Sequence, residues 1–211
     1  MGFTMILSEV ITLAKSAELK QLAIKTDDIT VLGFANLGIL ELHKRFKLIQ
    51  QEATITMVDG VSDYLIDGSD ANVTIDLSEY DILTVDEVYN HDDDQLMLNG
   101  FGTDSVKHRS YNKIGIPDSL LVAGETVKVV YRAAPKTIVD VAATLPLPRQ
   151  FTEALLHYIG YRAHSSLYGD TKTENNTHYM RFDKSCRLIT AQNLYNSDSM
   201  ETDKFERRGF V

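Results

Sequence analysis

The chain has 211 residues, with 21 Lys or Arg against 30 Asp or Glu, a formal net charge of −9 and 44% hydrophobic residues. This is enough apolar material for one or two packed domains, and a charged fraction of 24% argues against wholesale disorder. The acidic balance argues against a duplex-DNA reader, which draws its affinity from Lys and Arg neutralising phosphate, and the single Cys excludes an intramolecular disulfide or a multi-Cys zinc site.

No apolar run approaches the roughly 20 residues that cross a bilayer. Met1 to Leu7 has no basic leader before its apolar residues, so no signal peptide is expected. The composition points to a soluble protein folded in a reducing compartment. Charge is unevenly placed: residues 48–106 hold 14 acidic residues and no Lys or Arg, while the rest hold 16 acidic and 21 basic. Turn chemistry, which favours Asp, accounts for most of these acids in a β-rich segment. The functional alternative is a surface that repels polyanions or meets a basic partner.

The first fifty residues read as helical. Leu7, Val10, Ile11, Ala14, Ala17 and Leu22 form a stripe, with Ser8 as a candidate cap. Thr26-Asp27-Asp28 interrupts it, and either carboxylate can cap a second helix from Asp28 to Gln50. Its stripe is Leu32, Ala35, Ile39, Leu42, Phe46 and Ile49, with Leu37 and Leu40 on a second side. Gly33 and Gly38 each cost about 1 kcal/mol of helix propensity relative to Ala and leave room for close packing.

Around Ala53 the apolar period changes to two. Strands are predicted at Ala53–Val58, Tyr64–Ile66, Val73–Leu77, Ile82–Tyr89, Gln95–Leu98, Val106–Tyr111, Ser119–Val122 and Thr126–Arg132. They are punctuated by Asp59-Gly60, Asp67-Gly68, Asn99-Gly100 and Ala123-Gly124. Pro117 and Pro135 belong at strand edges or ends. Leu145-Pro146-Leu147-Pro148 forms a rigid link to a third helix, Arg149–Tyr168, with Phe151, Leu155, Tyr158, Ile159, Arg162 and Ala163 on one face. Gly160 is a close-contact point, and Gly169 closes the helix. Thr171-Lys172-Thr173-Glu174 matches a capping box for a fourth helix reaching about Tyr195. Residues 196–211 lose periodicity and read as an extended arm.

The fold class is α+β. Residues 1–51 and 147–195 form a bundle of about four helices, 52–146 an inserted small antiparallel β-sandwich or barrel, and 196–211 an extended C-terminal arm. The helices flank the insert in sequence and should meet in space, because none alone can bury its stripe.

Catalytic patterns are scarce. The chain has no Walker loop, no GxGxxG after a strand and no HExxH. Glu153 and His157 are four apart, where a di-iron motif needs three. His157 and His164 share a helix face, but two His make a poor zinc site, and no nearby Cys or carboxylate pattern completes it. Cys186 with His178 invites a cysteine-nucleophile reading, although a buried structural Cys fits its surroundings better. Asp92, Asp93 and Asp94 point in alternating directions on an extended segment, so a solvated turn is preferred to a cation site. Tyr158, Tyr161, Tyr168 and Tyr179 cluster on the last two helices, where Tyr suits either partial burial or a subunit interface.

One stretch carries a resemblance: Leu147-Pro148-x-x-Phe151-x-x-Ala154-Leu155-x-x-Tyr158, then Ala163-His164, Gly169-Asp170, Tyr179 and Phe182-x-x-x-Cys186. Val127-Lys128-Val129-Val130-Tyr131-x-x-x-Pro135 precedes it. The pattern resembles the small head-to-tail connector, or adaptor, proteins of tailed bacteriophages. The resemblance implies a non-enzymatic structural protein of the virion, assembled in the host cytoplasm. It implies a ring, commonly of twelve copies, that docks under the portal protein, extends the DNA channel and receives a tail tube or nozzle protein. Double-stranded DNA would pass without specific binding, and neither membrane, cofactor nor metal is called for. Such adaptors often assemble only on their portal, so a monomer is expected in isolation.

Within that picture Phe205, Arg207, Arg208, Phe210 and Val211 are the expected portal-binding residues of the arm. Tyr158, Tyr161, Tyr168 and Tyr179 are the expected subunit interface, and Asp92, Asp93 and Asp94 an acidic channel or partner surface. The alternatives are another tail or capsid subunit, or a hydrolase using Cys186 and His178.

Overall fold

The computed structural model describes residues 6–23, 27–168 and 177–192. It has four helices and two antiparallel sheets, an α+β protein. Its contacts divide it into two units, one drawn from residues up to Phe46 and from Thr137 onward, the other from Lys47–Lys136.

In the helical unit, α1 (Leu7–Ser16), α2 (Asp28–Arg45) and α4 (Thr177–Ala191) all pack on α3 (Thr152–Tyr168). The apolar stripes are the reason. Leu7, Val10, Ile11 and Ala14 of α1 are buried, as are Val31, Ala35, Ile39 and Leu42 of α2 and Ala154, Leu155, Ile159 and Ala163 of α3.

Helix α1 starts one residue before the expected Ser8 cap. Its orphan N–H groups are met by backbone instead: Leu7 and Ser8 donate to the carbonyls of Ala143 and Val141 at 3.1 and 2.8 Å. For α2 the cap is Asp27, whose Oδ1 accepts from the N–H groups of Ile29 and Thr30, each at 3.1 Å. The Thr30 hydroxyl and N–H hold the Asp27 carboxyl below its ordinary range. Helix α2 ends at Arg45, five residues before the expected Gln50, because Phe46 turns extended with φ −121°. Phe46 packs edge-on against Phe151 with ring centroids 4.9 Å apart. Ile49 leaves the helical stripe altogether and packs against the core of the β unit. A short 3-10 turn, Arg149–Phe151, precedes α3, with Pro148 extended before it. The proposed capping box at 171–174, Gly169 and the arm lie outside the described residues.

The β unit holds a five-stranded antiparallel sheet in the order β3-β1-β8-β4-β5 and a three-stranded sheet in the order β2-β7-β6. The strands are β1 (Gln50–Thr56), β2 (Asp63–Leu65), β3 (Val73–Thr74), β4 (Tyr80–Tyr89), β5 (Gln95–Leu96), β6 (Lys107–Ser110), β7 (Lys113–Gly115) and β8 (Thr126–Pro135). One apolar core joins them. Ile55, Val88, Val127 and Val129 come from the large sheet and Tyr64 and Ile114 from the small one. This is a sandwich. β1 pairs along its whole length with β8, from Gln50 opposite Arg132 to Thr56 opposite Thr126, which brings the two ends of the unit together. Pro135 closes β8, where its missing N–H costs no ladder bond.

Two strand expectations need correction. Ser119–Val122 is not a strand: a 3-10 turn occupies Asp118–Leu120, entered through Pro117. Lys113–Gly115, which the sequence reading passed over, is the central strand of the small sheet.

The unit also accounts for the charge. Residues 47–136 carry 16 acidic and seven basic residues, so the full −9 lies here, and the rest of the chain is balanced at 14 of each. The helical frame is therefore neutral when the boundaries are those of the contacts. Asp67, Asp70 and Asp76 each accept the N–H two residues on, an Asx turn. Asp63 pairs with Arg109 and Lys113 at 2.8 and 2.9 Å. Asp86, the extra residue of a bulge in β4, is aimed at Arg132 and Lys47 at 3.2 and 3.4 Å.

Candidate docking surface

The junction of α2, α3 and α4 is aromatic. Tyr158 meets Tyr161 and Phe182 edge-on at centroid distances of 5.8 and 5.1 Å, and Tyr161 meets Tyr179 at 5.2 Å. Arg45, at the end of α2, lies 4.6 Å from the centre of the Phe182 ring. It also bonds Asp183 of α4 at 2.9 Å and Glu41 at 3.1 Å. Burial opposes its charge, but those two carboxylates outweigh it and raise its pKa. Of the tyrosines expected at a subunit interface, Tyr161 is buried, while Tyr158 and Tyr179 are half-buried and keep an outer edge. The side chain of Tyr168 lies outside the described residues.

On its outer side α4 borders a groove of about 740 Å³. Its lining includes Tyr179, Met180, Lys184 and Arg187. Met180 is 61% exposed, and Leu188 on the same helix 46%. Arg187 is held there by Asp183 of the same helix at 2.8 Å.

The three consecutive aspartates do not converge. Asn90 organises their turn, its Oδ1 accepting from the N–H groups of Asp92 and Asp94 at 3.0 and 2.8 Å. Asp93 adopts a left-handed φ of 63° and reaches Lys128 at 2.8 Å, and Asp92 pairs with His91 at 3.2 Å. The Asp94 carboxylate has, among the described residues, a long contact of 3.5 Å from the Asn90 side-chain amide.

Cys186 is buried, and that burial pushes its thiol up to about 11 although Arg45 pulls the other way. A thiol so held is protonated at neutral pH, the wrong state for attack. His178 stands on the same helix eight residues away, about 12 Å along the axis, and faces Glu18 instead, at 2.9 Å. His157, paired by sequence with Glu153 at 3.5 Å, also faces Glu18, at 3.4 Å. This meeting of residues from opposite ends of the chain is what the sequence reading missed. The arm residues Phe205, Arg207, Arg208, Phe210 and Val211 lie outside the described residues. Among the described residues, no helix is long and apolar enough to cross a membrane.

The α+β frame and the interlocked aromatic helices are those of a protein with extensive packing surfaces. The chain belongs to the SU10 adaptor protein family, whose model matches residues 5–202. It is therefore a head-to-tail connector of a bacteriophage and a structural component of the virion. No curated protein sequence matches the chain.

Proposed function

We propose that the protein assembles as a ring beneath the portal protein, extends the DNA channel and offers a platform to a tail tube or nozzle protein. The observation that carries this is the family match from residue 5 to residue 202, which takes in both the helical unit and the β insert. The charge arrangement supports it. A conduit must let DNA slide, and tight phosphate binding would hold it. The insert has a charge of −9, and Lys47, Arg109, Lys113, Lys128 and Arg132 are each already paired with an aspartate. It offers phosphate few unpaired cations.

Docking is assigned to the arm, through the apolar Phe205, Phe210 and Val211 and the basic Arg207 and Arg208. The outer edges of Tyr158 and Tyr179 are assigned to subunit contacts, and Asp92 and Asp94 to a partner surface, since Asp93 is engaged by Lys128. Alone the protein is monomeric; on portal rings it assembles. The test is to mix purified protein with portal rings and image the product. Ring-on-ring particles are expected, and failure to bind under any assembly condition would count decisively against the proposal. Deleting residues 198–211 should weaken docking while leaving the melting temperature unchanged. Lost stability with unchanged docking would contradict the role given to the arm.

A further inference from the structure

Glu18, in the turn after α1, meets α3 and α4 at one point. Its Oε1 stands 3.4 Å from Nδ1 of His157, and its Oε2 stands 2.9 Å from Nδ1 of His178. All three side chains are largely buried, 14%, 13% and 18% exposed. One carboxylate oxygen and the two imidazole nitrogens lie within 4.8 Å of one another. We propose that Glu18, His157 and His178 form a binding site for one divalent transition cation of the zinc type, a cation that ties the first turn of α4 to α3 and to the end of α1.

Four observations carry this. The first is distance. Zinc bonds of about 2.0–2.1 Å place neighbouring tetrahedral ligands about 3.3 Å apart; the imidazoles approach the Glu18 carboxylate at 3.4 and 2.9 Å, one at each oxygen, and a single oxygen lies with both nitrogens inside 4.8 Å. The second is an orphan. Nδ1 of His157 is buried and makes no hydrogen bond among the described residues, yet it is aimed at the same carboxylate as His178.

The third is the outer support. A metal-bound imidazole holds its other nitrogen against a carboxylate or carbonyl, and Nε2 of His157 stands 3.5 Å from Glu153 Oε1. The His164 ring stacks on that of His178, centroids 4.5 Å apart, and its Nε2 approaches the Glu18 carbonyl at 3.4 Å. The fourth is room. Gly160 stands against the site, where a Cβ would lie 2.8 Å from Nδ1 of His178 and 3.2 Å from Cβ of Glu18.

Two imidazoles with one carboxylate select a cation such as Zn²⁺ over Mg²⁺ or Ca²⁺, which prefer all-oxygen shells. Three protein ligands leave a fourth position to water.

The test uses untagged full-length protein freed of metal by a chelator. Titration with Zn²⁺ followed by calorimetry should give one site per chain with sub-micromolar Kd, and Zn²⁺ should raise the melting temperature. Co²⁺ should give the intense visible absorption of a tetrahedral centre without a thiolate charge-transfer band. Glu18→Gln, which keeps the side-chain shape, should weaken binding by about a hundredfold, and Glu153→Gln by about tenfold, as for an outer-shell partner. The proposal is overturned if the wild-type chain binds no stoichiometric Zn²⁺. It is equally overturned if Glu18→Gln binds as tightly as wild type, or if a thiolate band shows that Cys186 is the ligand.

Discussion

Two buried tyrosines in the sandwich core show how much a single hydroxyl is worth. Tyr64 is fully buried, and its oxygen accepts the Val58 N–H at 2.9 Å. Tyr131 is just as buried, but its hydroxyl has no hydrogen-bond partner among the described residues. The same substitution should therefore have opposite effects. Tyr64→Phe removes the acceptor of the Val58 N–H and should cost about 1 kcal/mol, whereas Tyr131→Phe removes an unsatisfied group and should be neutral or stabilising by up to about 1 kcal/mol. Urea denaturation of the two variants checks both signs.

His43 makes a related prediction through protons. It is fully buried in α2, and its Nδ1 contacts the Ile39 carbonyl at 2.9 Å, so it donates there as a neutral ring. Burial lowers its pKa below the ordinary 6.5, with the Ile39 bond opposing. The unfolded chain then takes up a proton before the folded one does. Stability is full above pH 6.5 and is lost as pH falls from there towards the depressed folded value. Melting temperatures taken from about pH 7.5 down to about pH 5.5 should fall, with a shallower slope in His43→Leu. Some slope should remain, because the pKa of His178 is lowered as well.

At the scale of the element, α2 carries two glycines that its sequence cannot tell apart. Gly33 faces solvent, and a Cβ there would meet nothing within 4 Å. Gly38 is buried where α2 crosses α3, and a Cβ there would lie 2.6 Å from Leu155 Cδ1 and 3.0 Å from Tyr158 Cδ1. Gly33→Ala should stabilise by up to about 1 kcal/mol through helix propensity alone. Gly38→Ala should destabilise by about 1–3 kcal/mol, because the fully buried Leu155 must shift and the Tyr158 ring with it. Thermal melts of the two variants should move in opposite directions.

What the sequence made legible follows the same division. Local periodicity marked all four helices, the run of short strands and the apolar faces that reach the two cores. It overran α2, because Phe46 and Ile49 continue the helical spacing although one packs on Phe151 and the other serves the sandwich. It read Ser119–Val122 as a strand from its apolar ending, where the chain leaves Pro117 into a 3-10 turn. It missed β7, whose Lys113-Ile114-Gly115 offers a single apolar side chain. The Glu18 cluster was beyond it for another reason: Glu18 and His157 are 139 positions apart, and no spacing rule links them. Only the tertiary arrangement of three helices does.

For the whole molecule, the insert has what independent folding needs. Its core comes entirely from within Lys47–Lys136, two sheets enclose it, and its first and last strands are neighbours. A fragment of residues 47–136 should therefore give a β-type circular dichroism spectrum and one cooperative unfolding transition. A fragment that stays disordered would show that the helical unit is required. The fragment should also be more acidic in its electrophoretic behaviour than its size suggests, since it carries the whole net charge of the chain.

The pairing of β1 with β8 has a mechanical consequence. Both ends of the insert lie at the same end of one antiparallel ladder, β1 entering at Gln50 opposite Arg132 and β8 running on to Pro135 beside β4. Tension applied through those ends peels the ladder open, so its rungs break in succession instead of sharing the force in shear. The insert is thus weak against being drawn out by its own chain. In a connector under mechanical load, the two strands by which the insert is attached are a poor path for the force.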